Sequence, residues 1–563
     1  MAFVGFVVFV YWYLLVMQTL ASSKDEGWLS WFLRGLLIFG FFVLLARLFD
    51  LQIIRGGYFR TLAEGNRIRR VPVVAPRGKI LARGGEILVG NRQVKKRVVF
   101  NPESGYQKLD DIEGAKDDEL IREPVRDYPL GAAFAHLSGY LGEATQDEVG
   151  KIKGQCPEKG PRKLGSLVGR AGLEEEYNCV LVGVDGEELV EVDATGQKVR
   201  TLGRRQPIPG NDIKTSIDFG LQEKTSQLLS GKGAVVVNDA KGEILALYSS
   251  PSFDPNMFID RTKQDQVTDY LSDKNLPLFN RAIAGTFHPG SVFKPIVAIA
   301  ALEEGVIDEG YTFTDHGVIN AGGFSYTNWY FTQYGATEGT IDLPRAITRS
   351  TDTFFYKLGE MVGVDKLDEW ADKFNLGDVT GIDLPGEVVG LIPSPAWKVK
   401  VKGERWFLGN TYHMSIGQGD IAVTPIAINR SISAIASGGE LCKLRIVSNQ
   451  GSENNECEEL NIDAEHLSLV KKGMVGACSY GGTGFTFFDF KEKRGVDVAC
   501  KTGTAETESG EPHAWFTVFA PVDPPAHGSQ IVATVLVERG GEGAYVAGPI
   551  ARSIFDYWFT ANQ

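Results

Sequence analysis

Nineteen consecutive residues near the start of the chain, 2–20, carry no charge and are rich in Phe, Val, Leu and Tyr. That is about the length a helix needs to cross a bilayer, so a membrane is the first constraint on this chain. A cleaved signal peptide fits poorly, because no positive charge precedes the apolar run. A second apolar block, residues 36–46, reaches spanning length only if residues 28–34 or 47–54 join it, with an arginine reaching back to the interface. One or two transmembrane helices are therefore expected within residues 1–50. Arg47, Arg55, Arg60, Arg67, Arg69 and Arg70 follow the second block. A plain count of positive charges would keep the large remainder in the cytoplasm, but long domains cross a membrane regardless of flanking charge. The side of the membrane is left to the chemistry.

The remainder has the composition of a folded protein: 43% of the 563 residues are hydrophobic and 23% charged. At about 150 residues per domain, three or four units are expected. A net charge of −13 argues against a nucleic-acid binder, which needs a basic face. The chain has only seven histidines, no H-E-x-x-H, no paired C-x-x-C and no phosphate-binding G-x-x-x-x-G-K loop. Those absences count against a metal hydrolase and a nucleotide-phosphate enzyme.

Residues 51–210 are mixed, with strand-like pieces at 70–74 and 97–100 and charged stretches such as 110–126 between them. Pro207-Ile208-Pro209-Gly210 is a turn-rich break and a domain boundary, leaving 211–563 as the larger domain. Residues 233–238 and 243–248 are apolar runs joined through Asp239-Ala240-Lys241-Gly242, which predicts a hairpin. Residues 496–500, 515–520 and 531–537 predict three more strands, and 549–559 an amphipathic helix with Pro549 in its first turn. The long stretch 280–474 reads as mostly helical. The fold expected is α+β: an antiparallel sheet flanked by helices, with a helical insert between its early and late strands.

Ser291-Val292-Phe293-Lys294 follows Pro289-Gly290 and precedes an apolar run. A helix beginning at Ser291 puts Lys294 one turn away on the same face, with the hydroxyl at the positive end of the dipole. A desolvated lysine there can take the hydroxyl proton, which makes a serine nucleophile that needs no histidine. The signal is weak alone, since Ser468-Leu469-Val470-Lys471 has the same spacing. Ser350-Thr351-Asp352 is weaker still, because Ser216-Ile217-Asp218 and Ser252-Phe253-Asp254 match it. Lys501-Thr502-Gly503 is unique and lies on an expected strand, where lysine and threonine point to opposite faces and glycine permits close approach. Only Ser291/Lys294, Ser350/Asp352 and Lys501/Thr502/Gly503 stand in order with a helical insert between them. That ordered set is the motif set of penicillin-binding proteins and class A β-lactamases.

From about residue 52 onward the sequence resembles class B penicillin-binding proteins, and among them the elongation type. Further residues carry the resemblance. Arg77-Gly78-Lys79-Ile80 and Arg83-Gly84-Gly85-Glu86-Ile87-Leu88 look like the family's juxtamembrane segment, with Ala82 where aspartate is usual. Gly169-Arg170-Ala171-Gly172-Leu173-Glu174, Tyr177 and Asp193-Ala194-Thr195-Gly196 resemble motifs of the pedestal, or dimerisation-like, domain. Asn280-Arg281-Ala282, Gly417-Gln418-Gly419, Val423-Thr424-Pro425 and His513-Ala514-Trp515-Phe516 match landmarks of the catalytic domain, although His288 replaces the usual proline. Aspartate at 352 favours the elongation over the septal type.

The resemblance implies a serine D,D-transpeptidase that cross-links peptidoglycan stem peptides and is inhibited by β-lactams. Ser291 would attack the penultimate D-Ala carbonyl while Lys294 receives its proton. The backbone N–H groups of Ser291 and Thr504 would form the oxyanion hole. Ser350 and Lys501 would pass a proton to the departing D-Ala, with Asp352 positioning Lys294 and Ser350. Lys501, Thr502 and Thr504 would hold the substrate carboxylate beside Gly503. No cofactor and no metal is implied; Asp315 and His316 lie in the insert without a cysteine or second histidine near them. The implied partners are a polytopic SEDS-family glycan polymerase and elongation-complex proteins, with no nucleic acid. The implied location is the bacterial cytoplasmic membrane with the catalytic domain outside, and this resolves the orientation. A β-lactamase, a β-lactam sensor and a non-catalytic scaffold are the rivals. A lactamase is usually compact without a pedestal, a sensor needs a signalling domain, and a scaffold has no reason to keep Ser291, Lys294 and Lys501 together.

An oxidising exterior lets cysteines pair. The six allow fifteen connectivities, and the simplest is sequential: Cys156–Cys179, Cys442–Cys457 and Cys478–Cys500. Six reduced, buried thiols are the alternative.

Overall fold

The computed structural model describes residues 11, 28–101, 105–109, 113–114, 120–149, 156–161, 163–193, 198–447, 456–523 and 530–561. The apolar run 2–20 falls outside the described residues except for Tyr11, as do residues 194–196 of the Asp193 motif. Residues 36–46 lie inside one helix, Trp28–Phe49, which continues as a π-helical turn through Ile54. The whole segment Trp28–Ile54 is 27 residues with none of its most apolar window buried, long and apolar enough to cross a membrane. The flanks on both sides of the short block thus join it.

Two compact units divide the chain. The first comprises Met1–Val73, Lys95–Ile121 and Gly186–Gln206. It contains the apolar helix, the helix Gly56–Arg67 and a three-stranded antiparallel sheet with Gly186–Val192 between Ile68–Val73 and Lys198–Arg205. Its strands are held by cross-strand charge: Glu191 takes Arg200 at 2.7 Å as well as Arg67, and Glu188 takes Lys198 at 2.7 Å.

The second unit comprises Val74–Val94, Arg122–Asp185 and Pro207–Gln563. Its central sheet has five strands: β1 (Gly233–Asp239), β2 (Ile244–Ser250), β3 (Ala499–Ala505), β4 (His513–Ala520) and β5 (Ile531–Val537). Their order is β2-β1-β5-β4-β3, all antiparallel, with β3 at an edge. The helices used below are α1 (Lys294–Glu303), α2 (Leu343–Arg349), α3 (Asp352–Val362), α4 (Pro425–Ser437), α5 (Ala464–Ala477) and α6 (Gly543–Ala561). Both faces of the sheet are covered. Val235, Val237, Phe516, Val518 and Val535 pack with Ala551, Ile554 and Phe555 of α6. Trp515, Phe519, Val532 and Leu536 belong to the core that contains α1 and α4. That double burial explains why these strands are continuous apolar runs rather than alternating ones.

Three local expectations need correction. The strand expected at 496–500 runs instead from Ala499 to Ala505, because Lys501 through Thr504 pair with β4 (Lys501 opposite Thr517). The last helix starts at Gly543, and Pro549 is internal. Pro549 lies on an exposed face, where water can satisfy the Tyr545 carbonyl that a proline cannot. The charged stretch 110–126 contains a strand, Leu120–Asp127, in which Arg126 is 3% exposed and bound to Glu174. The insert 280–474 is mostly helical but also carries small hairpins, including Thr312–Asp315 with Gly339–Asp342 and Val318–Ala321 with Phe324–Thr327.

All six cysteines pair sequentially, Cys156–Cys179, Cys442–Cys457 and Cys478–Cys500. The last bridge ties the residue after α5 to β3 immediately before Lys501.

His136 gives a pH test of this packing. It is buried, with Nε2 3.0 Å from the Pro277 carbonyl, and burial holds its pKa down to about 4. The unfolded chain binds a proton near pH 6.5 that the folded chain refuses until about 4, so stability is full above 6.5 and falls as the pH drops through that window. The expected loss is about 3 kcal/mol. Thermal unfolding of His136→Gln, which keeps a donor for Pro277 and does not titrate, should show a flatter pH dependence between 6.5 and 4 than the parent.

Candidate active site

Pro289-Gly290-Ser291 does not open an α-helix. Gly290–Phe293 is a 3₁₀ turn that feeds into α1 at Lys294. In a 3₁₀ turn residues i and i+3 eclipse, so Ser291 and Lys294 share a face as the spacing required. Gly290 adopts φ +57°, and a side chain there would press on the Thr504 carbonyl at 3.1 Å. At Gly503 a Cβ would meet Val292 Cγ1 at 3.0 Å and Pro289 O at 3.2 Å. The two glycines therefore let the serine turn lie directly against the edge strand β3. Gly417 closes the other side: Gly290 N–H donates to the Gly417 carbonyl at 2.8 Å, and Phe287 and Val423 exchange two backbone bonds of 2.9 Å. His288 Nδ1 lies 2.6 Å from the Ile421 carbonyl.

Lys294 is wholly buried. Its Nζ donates to Ser350 O (2.8 Å), Ser350 Oγ (3.2 Å) and Asp352 Oδ1 (2.6 Å). Lys501, also wholly buried, donates to the same Ser350 Oγ at 2.8 Å and to Thr502 O at 2.9 Å. Ser350 thus bridges two lysines. It sits in the left-handed region (φ 54°, ψ 40°) between α2 and α3, a strained position for a side-chain-bearing residue. Burial pushes both lysines down from the ordinary ammonium range; Asp352 opposes the shift at Lys294, while the charge of Lys294 adds to it at Lys501. The Asp352 carboxylate, bound directly to Lys294, favours that lysine's charged form.

Hydrogen bonds join Lys294, Ser350, Asp352 and Lys501, and the turn that carries Ser291 lies against Gly503 through Pro289 and Val292. Ser291 is partly exposed. Thr504 is exposed on β3 and its hydroxyl accepts from Gly543 N–H at 3.4 Å. Thr502 donates its hydroxyl to Thr483 Oγ1 at 2.8 Å. Thr483 was missed in sequence; its only signal is a Gly481-Gly482-Thr483-Gly484 turn, uninformative without its partner. The competing motifs are accounted for elsewhere. Ser468 is exposed on α5 and Lys471 donates to the Ala436 carbonyl at 2.9 Å. Ser216 donates to Ile244 O at 2.6 Å, Asp218 caps a helix by accepting from Leu221 N–H, and Ser252 donates to Ala132 O.

Residues 232–556 match the family described as penicillin binding protein transpeptidase domain, more than half of the chain. The chain belongs to that family. Residues 106–215 match the penicillin-binding protein dimerisation domain. Among curated relatives, peptidoglycan D,D-transpeptidase MrdA of Acinetobacter baumannii is 31% identical, over 94% of this chain and 87% of its own. Among solved structures, penicillin-binding protein 2 of Helicobacter pylori, determined in complex with MreC, superposes with TM-score 0.74 at 26% identity, covering 88% of this chain and 99% of that one. A structure described as coordinating polymerization and crosslinking in a peptidoglycan synthase complex gives TM-score 0.72 at 28% identity, covering 94% and 98%. This member therefore combines an N-terminal apolar helix, a dimerisation-type region and a transpeptidase domain, as the penicillin-binding protein 2 relatives lead one to expect.

Proposed function

We propose that this chain is a peptidoglycan D,D-transpeptidase of the elongation type, with Ser291 as nucleophile. The observation that carries the assignment of roles is the Ser350 hydroxyl held between Lys294 and Lys501 beside the Ser291 turn. Moving one proton from Lys294 through Ser350 to Lys501 leaves Lys294 neutral, able to accept the Ser291 proton, and Lys501 charged, suited to a substrate carboxylate. Ser291 Oγ then bonds to the penultimate D-Ala carbonyl carbon, and the oxyanion is met by the Ser291 and Thr504 N–H groups. The peptide bond breaks, and terminal D-Ala leaves with a proton passed through Ser350. A neighbouring stem's amine then attacks the acyl-enzyme carbonyl: the cross-linking amide bond forms, the ester bond to Ser291 Oγ breaks, and the amine's proton passes through Ser350 and Lys294 back to Ser291 Oγ. Asp352 keeps Lys294 and Ser350 in place, and Thr502, Gly503 and Thr504 line the carboxylate site.

The apolar helix Trp28–Ile54 anchors the protein in the cytoplasmic membrane, and residues 51–210 form a pedestal for the catalytic domain 211–563 outside it. Three disulfides suit that exterior. The dimerisation-type region and the relatives solved with MreC and in a synthase complex support elongation-complex proteins and a SEDS-family polymerase as partners.

The test is partition of the acyl-enzyme. Given a stem-peptide donor ending in D-Ala-D-Ala and an amine acceptor, the protein should release D-Ala and form mainly the aminolysed product, scored by mass spectrometry. Rapid β-lactam hydrolysis, or water as the dominant acceptor, would assign it instead to the lactamase or carboxypeptidase class.

A further inference from the structure

The Asp352 carboxylate is held on one side by Lys294 and on the other by a backbone N–H, that of Trp329, at 2.9 Å. What holds Trp329 is a buried polar system outside the three motifs. Asp315, 1% exposed at the end of the strand Thr312–Asp315, accepts four hydrogen bonds. Its Oδ1 takes Gly317 N–H (2.8 Å) and Thr353 Oγ1 (2.7 Å); its Oδ2 takes Asn328 Nδ2 (3.1 Å) and Glu338 N–H (2.9 Å). Asn328, wholly buried, accepts from Asp352 N–H through Oδ1 at 3.1 Å. A carboxylate with two oxygens fully engaged by four donors has one geometry, and so does the amide it holds. The first two residues of α3, Asp352 and Thr353, are thereby tied to Asp315 directly or through Asn328. Next to them, Glu338 accepts from Arg349 Nε at 2.6 Å, and Trp329 Nε1 donates to Arg349 O at 3.0 Å, which fixes the residue before the strained Ser350.

We propose that Asp315 is a positioning residue for the reaction: acting through Asn328 and Thr353, it sets the Asp352 carboxylate and the left-handed Ser350 turn against Lys294. The inference rests on the reading of Ser291 and Lys294 as nucleophile and base. Asp315 touches no reacting atom. Its effect reaches Lys294 through Asp352 and the Ser350 turn; the charged groups facing Lys294 are Asp352 and Lys501, with the Phe355 ring 5.2 Å from its Nζ.

The experiment uses the full-length protein in detergent, and the rate of acylation by a fluorescent penicillin is followed against pH. Adduct mapping on the parent first locates the label at Ser291; a label elsewhere overturns the reading and this inference with it. In Asp315→Asn the amide nitrogen faces two donors, and in Asn328→Ala the link to Asp352 is cut while Thr353 still reaches Asp315. Each variant should acylate about 10- to 100-fold more slowly on its plateau. Because the Asp352 charge favours the protonated Lys294, its looser hold should also move the acid limb of the profile to lower pH. A purely structural role would reduce the amount of folded protein and leave the limb in place. Folded variants with the parent's plateau rate, or with a slower rate and an unmoved limb, overturn the proposal, as does unfolding of both variants.

Discussion

Replacing Ser291 with alanine is expected to abolish covalent labelling by penicillin and to lower transpeptidation on the order of a millionfold, while the fold survives. Only Oγ is removed, from a partly exposed site, so no cavity or orphaned buried group results. Ser468→Ala should label normally, since Ser468 is exposed and its lysine donates to the Ala436 carbonyl. Lys294→Arg separates charge from basicity. Guanidinium keeps the positive partner for Asp352 but gives up no proton near neutrality, so acylation should be lost with it as well. In the parent, acylation should rise with pH and level off below the ordinary lysine range, because burial lowers Lys294 and the reactive form is the neutral amine. Persistent labelling of Ser291→Ala, mapped by mass spectrometry, would move the nucleophile elsewhere.

The largest stability effect is expected at Glu174. Its carboxylate is wholly buried and binds Arg126 Nε at 2.5 Å and Arg77 through Nε (3.0 Å) and Nη2 (2.7 Å), with the Tyr128 hydroxyl at 3.4 Å. Two guanidiniums thus share one anion, and Arg77 Nη1 and Arg126 Nη2 are already buried without a hydrogen bond. Glu174→Gln keeps the shape and removes the charge that offsets both. Breaking a buried pair this way costs about 3–5 kcal/mol, because the desolvated cation is left uncompensated. Denaturant unfolding should show that loss in the second unit. A change under about 1 kcal/mol would mean that water reaches the guanidiniums.

Much of the site was legible because its chemistry is local in sequence. Ser291 and Lys294 are three residues apart, and any helical turn, α or 3₁₀, sets them on one face. Lys501 through Gly503 lie on one strand. What was not legible depends on residues far apart in the chain. Thr483 meets Thr502 only because the bridge Cys478–Cys500 and the turn after α5 bring that loop to β3. Asp315 and Asn328 lie 37 and 24 residues before Asp352, in segments with no motif of their own.

By itself the sequence determined the apolar span, the order of the three motifs, the five-stranded antiparallel sheet with its insert, and the class of chemistry. The first three rest on periodicity or spacing along the chain, which local geometry translates directly, and the class of chemistry rests on the resemblance of the ordered motifs to the penicillin-binding family. Which Ser-x-Asp belongs to the site was decided by tertiary structure. Three such triplets exist, and only packing places Ser350 Oγ within hydrogen-bonding distance of both Lys294 and Lys501 while Ser216 and Ser252 are spent on backbone carbonyls. The downward shift of the two lysines is likewise a tertiary property, since desolvation depends on what surrounds a side chain and not on its neighbours in sequence.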